Sequence, residues 1–386
     1  PDVQWGSGPR LRHAGTPAYG CGMKILYISV HQALEYDELR MFRDAGHDVF
    51  ALGSHLATPA FHGLRPPLDL GPFAAEMKTK FEALGGRYAF DAATLDMVFP
   101  AAFVDLFDVC VVMHEVGILH RHWHVLSRIP VVWRTIGVDT YGADRAMRVY
   151  RSRGCYIVRC APTERGMPHD LGADAVIRFP KKVADFKPWT GSEAAILKIY
   201  ADFRRRLPVE YEFVERLVAG RRYMLGGGRN ESCTGSIGTI PYENLLELLR
   251  SCRVYFYGAG PPAPYTLNFV EAWLAGIPVV VLRPDVIYGE QGCRFSEVYR
   301  LISHGRDGFL VSTVEEAAAI CDRLLADRDY AARIGARGAA RAAQLFRDDI
   351  TARQWNRLFA RIASSGRWRP RQGLFARMRA RISAVP

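Results

Sequence analysis

The chain has no uninterrupted apolar run of about eighteen residues, so a membrane-spanning helix is not expected. It also has no Cys-x-x-Cys pair. Its eight cysteines, Cys21, Cys110, Cys155, Cys160, Cys233, Cys252, Cys293 and Cys321, are scattered and several sit inside apolar runs. Neither a disulfide framework nor a zinc site is expected from them, and they read as reduced thiols of a cytoplasmic enzyme. No Gly-x-Gly-x-x-Gly follows the first strand-like run, which disfavours a nicotinamide enzyme. No repeat with a period of about 20 to 50 residues is present, which excludes a solenoid. The first 22 residues lack the apolar core of a signal peptide and are rich in Gly, Pro and Arg, so a disordered leader ahead of Met23 is expected.

What remains is 386 residues, 49% of them hydrophobic, enough for two domains with substantial cores. The formal net charge of +11 calls for an acidic partner. Nucleotide phosphates, an anionic membrane surface and nucleic acid all qualify, and charge alone does not choose among them.

The most informative stretch is 242–282, YENLLELLRSCRVYFYGAGPPAPYTLNFVEAWLAGIPVVVL. It reads as a helix over 244–249, a β-rich strand over 254–257, a Gly/Pro loop, a second helix and a buried strand over 279–282. The second helix is capped by Thr266 and stopped by Gly276, with Pro278 just beyond. The free N–H groups of Thr266, Leu267 and Asn268 at its start favour an anion such as a diphosphate, through hydrogen bonds and the helix dipole. Glu271 lies one turn deeper, where a carboxylate can accept from sugar hydroxyls.

The string YTLNFVEAWLAGIPVVV resembles the donor-site segment of the GT-B glycosyltransferases, specifically the retaining family four, usually written ExFGxxxxEAxAxGxPVV. The resemblance covers about Met23 to Asn356 and is most specific over 238–282. It implies an α/β fold of two Rossmann-like doubly wound domains facing across a cleft. It also implies transfer from a UDP- or GDP-sugar with retention and without a metal or other cofactor. Glu271 stands at the family's ribose-binding Glu. The first Glu of the family pair is replaced by Ala263, between Pro262 and Pro264.

Other segments fit the alternation of strands and helices. Strands are expected over 23–30, 48–52, 107–112, 130–133, 156–158 and 175–177, with a helix over 36–45. The ending Phe186-Lys187-Pro188 resembles the family's FxP before the chain crosses over, which sets domains at 23–189 and 190–350 and a C-terminal helix and tail at 351–386.

A nucleotide-sugar transferase must stabilise the charge growing on its leaving diphosphate, and arginine with helix-start amides can do so without a metal. Arg204 or Arg205 stands where the family supplies these ligands, with Arg206 a weaker candidate and a solvated turn the alternative. Gly226, Gly227 and Gly228 follow a strand and would permit close backbone approach, to a ligand or in a simple tight turn. Ile240 and its neighbours are expected by the base. The resemblance places His114, at a strand end, facing the donor sugar, where it would hydrogen-bond a hydroxyl or the departing oxygen. His120, His122 and His124 alternate, but their segment reads as a helix in which i and i+2 diverge, so no metal site is expected. His31 and Arg134, in loops at sheet ends, are candidates for acceptor contacts, the acceptor being a glycan, a lipid-linked or a small molecule.

From Leu374 the apolar residues Leu374, Phe375, Met378 and Ile382 form one stripe of an otherwise arginine-rich segment. Such a helix fits an anionic membrane surface, placing the enzyme at the inner face of the membrane, whereas a disordered basic tail is the alternative. Two rival readings stand beside the transferase: a GT-B protein with altered catalysis that binds sugar nucleotide or glycan, supported by Ala263, and a nucleic-acid-binding or nucleic-acid-modifying protein. The latter draws only on charge and lacks any helix-turn-helix, zinc or RNA-binding motif.

Overall fold

The computed structural model describes residues 22–29, 31–53, 64–88, 96–137, 141–167, 169–186, 188–258 and 263–365. The expected leader before residue 22 and the basic helix from Leu374 lie outside these residues. The strands in chain order are β1 (Lys24–Ser29), β2 (Asp48–Gly53), β3 (Arg87–Tyr88), β4 (Met97–Val98), β5 (Val109–Met113), β6 (Val131–Arg134), β7 (Tyr156–Arg159) and β8 (Ala175–Val176). They continue with β9 (Glu193–Ile199), β10 (Tyr223–Gly226), β11 (Ser236–Gly238), β12 (Cys252–Gly258), β13 (Val279–Leu282) and β14 (Phe309–Val311).

Two six-stranded sheets result, ordered β2-β1-β5-β6-β7-β8 and β11-β10-β9-β12-β13-β14, with β3 and β4 forming a separate antiparallel pair. Every pairing within the two large sheets is parallel. Parallel strands covered on both faces need apolar side chains at every position, and β5 (VCVVM) and β13 (VVVL) are buried throughout. In each sheet the strand order reverses next to its first strand, between β1 and β5 and between β9 and β12. The connections leave in opposite directions there, so a crevice opens at the strand C-terminal ends and is the natural place for a ligand.

The helix Leu267–Ala275 starts at the second of these reversal points. Thr266 caps it, its side chain accepting from Phe269 N at 3.3 Å, and Gly276 ends it at φ 84°, a left-handed conformation that glycine adopts without penalty. Phe269 through Ala275 are buried. The long helix Arg328–Phe346 packs across it at very short range: a Cβ at Gly335 would lie 1.8 Å from the carbonyl oxygen of Gly276. Gly335→Ala is therefore expected to destabilise the second half by about 3 kcal/mol, the upper end for overpacking, because the obstacle is backbone. An unchanged urea midpoint would contradict this close approach.

The chain then returns to the first half. In the helix Asp348–Ser364 the Trp355 ring sits 5.1 Å from that of Phe42, and Asn356 meets His47 Nε2 at 2.8 Å. The helix Pro72–Ala83, opened by Pro72, has no counterpart among the elements expected from the sequence. Among the described residues, no helix is long and apolar enough to cross a membrane.

Candidate active site

The two reversal points face each other, and contacts across the crevice hold them together. Tyr265, just before the Thr266 cap, donates its hydroxyl to Cys160 O at 3.1 Å and accepts from Phe179 N at 3.2 Å, both in the first half. Glu297 N donates to Pro264 O at 2.7 Å, fixing the loop from the other side. Thr266, Leu267 and Asn268 remain only half-buried, so the amide-rich helix start is accessible from the crevice.

Glu271 is wholly buried one turn deeper. Its Oε1 receives Arg65 Nη2 at 2.7 Å and Lys181 Nζ at 2.5 Å, and Lys181 Nζ also lies 2.5 Å from Asp37 Oδ2. Arg65 further stacks over the Tyr242 ring at 4.5 Å. Two carboxylates and two cations from both halves thus form one covered cluster. Glu271 Oε2 is buried with no hydrogen-bond partner among the described residues, so acceptor capacity remains on it. Burial pushes the Glu271 carboxyl up, but Arg65 and Lys181 outweigh it and hold the pKa below the usual range. For Asp37 the balance goes the other way: burial dominates the attraction of Lys181 and Arg65, and its pKa is raised.

His31 and His114 occupy the matching edge of the first sheet, after β1 and β5. His31 caps the helix Gln32–Asp44, its side chain accepting from Leu34 N, which requires a neutral ring. Although His31 as a whole stays exposed, close packing around its ring, with the nearby positive charge of His114 and Arg65, draws its pKa down to about 4. The depressed value means that this contribution to stability is full above the ordinary histidine pKa and is lost as pH falls toward 4. His114 sits at φ 63°, a left-handed conformation costing on the order of 1 kcal/mol in a non-glycine residue. Its backbone is held there by His114 N donating to Arg134 O at 2.8 Å and by Trp133 Nε1 donating to His114 O at 3.1 Å.

The arginine triplet forms the single turn Phe203–Arg206 beyond β9. All three side chains are exposed: Arg205 Nε donates to Asp202 at 2.6 Å, Arg204 stacks on Tyr211 at 5.6 Å and Arg206 on Tyr200 at 5.1 Å. Arg204 thus has no ion pair among the described residues. Gly227 makes its close approach to the protein's own chain, not to open space: a Cβ there would lie 2.6 Å from Tyr200 O, and its φ is 122°. Asn230 locks this contact by donating to Tyr200 O and Gly227 O. Gly228 faces Thr239, with a Cβ 3.0 Å from Oγ1, and Ile240 covers Gly226.

Arg134 does not reach the crevice. It is fully buried, its Nε donating to Glu38 at 2.9 Å and its guanidinium stacked on Phe179 at 4.1 Å, so it offers no open surface to an acceptor in this arrangement, although Nη1 and Nη2 have no hydrogen-bond partner among the described residues. Glu271 likewise offers no open surface in this arrangement. His120, His122 and His124 lie on the helix Val116–Leu126 and part company, His120 bonding Tyr150 and His122 packing on Phe99. Among the described residues, no three metal-ligating side chains converge. Asp37, Arg65 and Lys181 are the members of the cluster that the sequence does not announce. Lys181 alone leaves a trace, as a lysine in the apolar crossover segment FPKKVADF.

No family profile and no curated protein matches the chain. Solved structures do. HepE from Anabaena, in a complex with UDP-glucose, is 15% identical with a TM-score of 0.58, covering 89% of this chain and 100% of its own. A glycosyltransferase from Rickettsia africae is 10% identical at a TM-score of 0.61, covering 89% and 99%. AviGT4, a glycosyltransferase of avilamycin A biosynthesis, is 16% identical at 0.55, covering 89% and 98%. The likeness extends over both halves of each partner, and the chain has the GT-B fold.

Proposed function

We propose that the chain is a glycosyltransferase that moves a sugar from a nucleotide diphosphate sugar to an acceptor, metal-independently and with retention, in the manner of the retaining family four. The observation that carries this reading is the pairing at one crevice of an accessible helix start, Thr266 to Asn268, with a buried carboxylate one turn deeper whose Oε2 still has acceptor capacity. The helix-start amides, with Arg204 or Arg205, would hold the diphosphate as charge develops on it. Glu271 would accept from the ribose, Ile240 would lie by the base, and His114 would meet the sugar. HepE has been solved with UDP and with UDP-glucose, which supports a UDP-sugar as the first donor to try.

A second reading has a specific observation behind it. Ala263 supplies a methyl group where the family supplies a carboxylate, and a methyl group accepts no hydrogen bond from a sugar hydroxyl. A chain that binds the donor without transferring its sugar would follow.

The test is a panel of nucleotide diphosphates and UDP- and GDP-sugars in the presence of EDTA. A ligand at one hundred times its dissociation constant should add about 2.7 kcal/mol of stability. Binding with donor hydrolysis or transfer in EDTA is the expected result. Binding without either favours the second reading, and activity lost in EDTA but restored by magnesium or manganese contradicts the metal-independent step. A panel without any stabilising nucleotide removes the donor reading.

A further inference from the structure

We propose that a recess beside the donor helix, lined by Arg165, Arg294 and Arg300, binds a phosphate group carried by the acceptor, an inference that rests on the glycosyltransferase reading. The recess, of about 360 Å³, lies between the two halves and is walled by Pro162, Thr163, Arg165, Gly166, Arg294 and Arg300. Among the described residues, half of its wall is arginine and none of it is acidic. The turn Pro162–Gly166 follows β7, so it stands at the C-terminal edge of the first sheet. Arg294 is in the last turn of the helix Pro284–Phe295, which follows β13, and Arg300 is on the turn Val298–Leu301. Glu297, directly before that turn, is bonded to Pro264, two residues ahead of the Thr266 cap. The recess therefore lies at the junction of the two halves, close to the loop that leads into the donor helix, and is built from residues the donor reading does not use.

Of the nearby carboxylates, Glu164 is committed elsewhere and Glu297 also feels the charge of Arg300. Glu164 accepts from the backbone N–H groups of Cys160 and Ala161 and from the Thr135 hydroxyl, and Glu297 pairs with Arg178. Among the described residues, Arg165 and Arg294 have no acidic partner. Thr163 Oγ1 is buried with no hydrogen-bond partner among the described residues, adding an uncommitted hydroxyl to the same wall. Guanidinium groups from three separate elements, two of them (Arg165 and Arg294) without an acidic partner among the described residues, concentrate positive potential on one concave surface. Their planar forks match phosphate oxygens two at a time, a geometry that a scattered basic surface does not provide. The donor diphosphate has its own seat at the helix start, so the second anion belongs to the other substrate.

The experiment measures inorganic phosphate and UDP separately, by titration calorimetry at low salt, on the full chain and on its Arg165→Gln/Arg294→Gln variant. Both replaced side chains are exposed, and an unchanged thermal midpoint establishes that the variant is folded. The expected result is phosphate binding to the parent that persists under saturating UDP, at least ten-fold weaker phosphate binding in the variant, and UDP affinity kept within two-fold. No phosphate binding by the parent, or equal binding by both proteins, overturns the proposal. Phosphate displaced by UDP, with UDP affinity falling in the variant, overturns it by assigning the recess to the donor diphosphate. A parent that binds phosphate but no UDP overturns the donor reading and the acceptor assignment with it, leaving only an anion site.

Discussion

Lys181→Met is expected to cost about 3–5 kcal/mol at pH 8, the range for removing one partner of a buried ion pair. The methionine fills much the same space, so the loss is electrostatic. Lys181 Nζ is within 2.5 Å of both Asp37 and Glu271, one carboxylate from each half. Without it Asp37 is left buried with only the more distant attraction of Arg65, and its pKa, already raised by burial, rises further. A carboxyl with a raised folded pKa binds more protons folded than unfolded. Its favourable contribution is therefore present at low pH and lost as pH rises through the folded pKa. The deficit of the variant should accordingly shrink between pH 8 and pH 5. Urea unfolding of both proteins at the two pH values checks this: a deficit under about 1 kcal/mol, or one that grows on acidification, would show that removing Lys181 does not leave a buried, uncompensated charge.

The same cluster marks the limit of what the sequence conveys. Parallel strands buried on both faces must be continuously apolar, so β1, β5 and β13 stand out as runs, and helix caps are local, so Thr266 and Gly276 are legible where they stand. Partners of a buried charge are not local. Glu271 meets Lys181 across 90 positions and Arg65 across 206, and nothing in the spacing of either cation points to it. Arg134 shows the complementary case. Its place at the end of β6 is readable, but the direction of its side chain is set by Glu38, Phe179 and Trp355, which come from three distant elements. Gly227 is similar: a glycine after a strand signals close approach, and only the fold tells whether the approaching group is a ligand or, as here, the backbone at Tyr200.

Glu271→Gln is expected to weaken UDP binding by about 1.5–3 kcal/mol, the value of a hydrogen bond to a charged group, or roughly 10- to 150-fold. The isosteric amide keeps an oxygen for Lys181 and Arg65, and Lys181 keeps Asp37, so the fold should survive more easily than in the lysine variant. What changes is Oε2, the atom with acceptor capacity left over. In the amide one of the two positions becomes an NH2 donor, and with both cations competing for the remaining oxygen, no acceptor is left for a ribose hydroxyl. UMP and UDP carry the same ribose, so both should lose affinity by the same factor. A loss confined to UDP would mean that the carboxylate acts on the diphosphate through Arg65 and Lys181, and equal affinities in variant and parent would take Glu271 out of the donor site. The cluster also predicts a conformational component. Because Glu271 is wholly buried and its Oε1 is paired with Arg65 in this arrangement, a ribose that reaches the carboxylate must either displace the Arg65 guanidinium or share the carboxylate with it. Arg65→Gln separates the two. Displacement predicts UDP binding that is tighter than in the parent, since one competitor is gone, whereas sharing predicts binding that is weaker, since the cation that holds the carboxylate in place is lost.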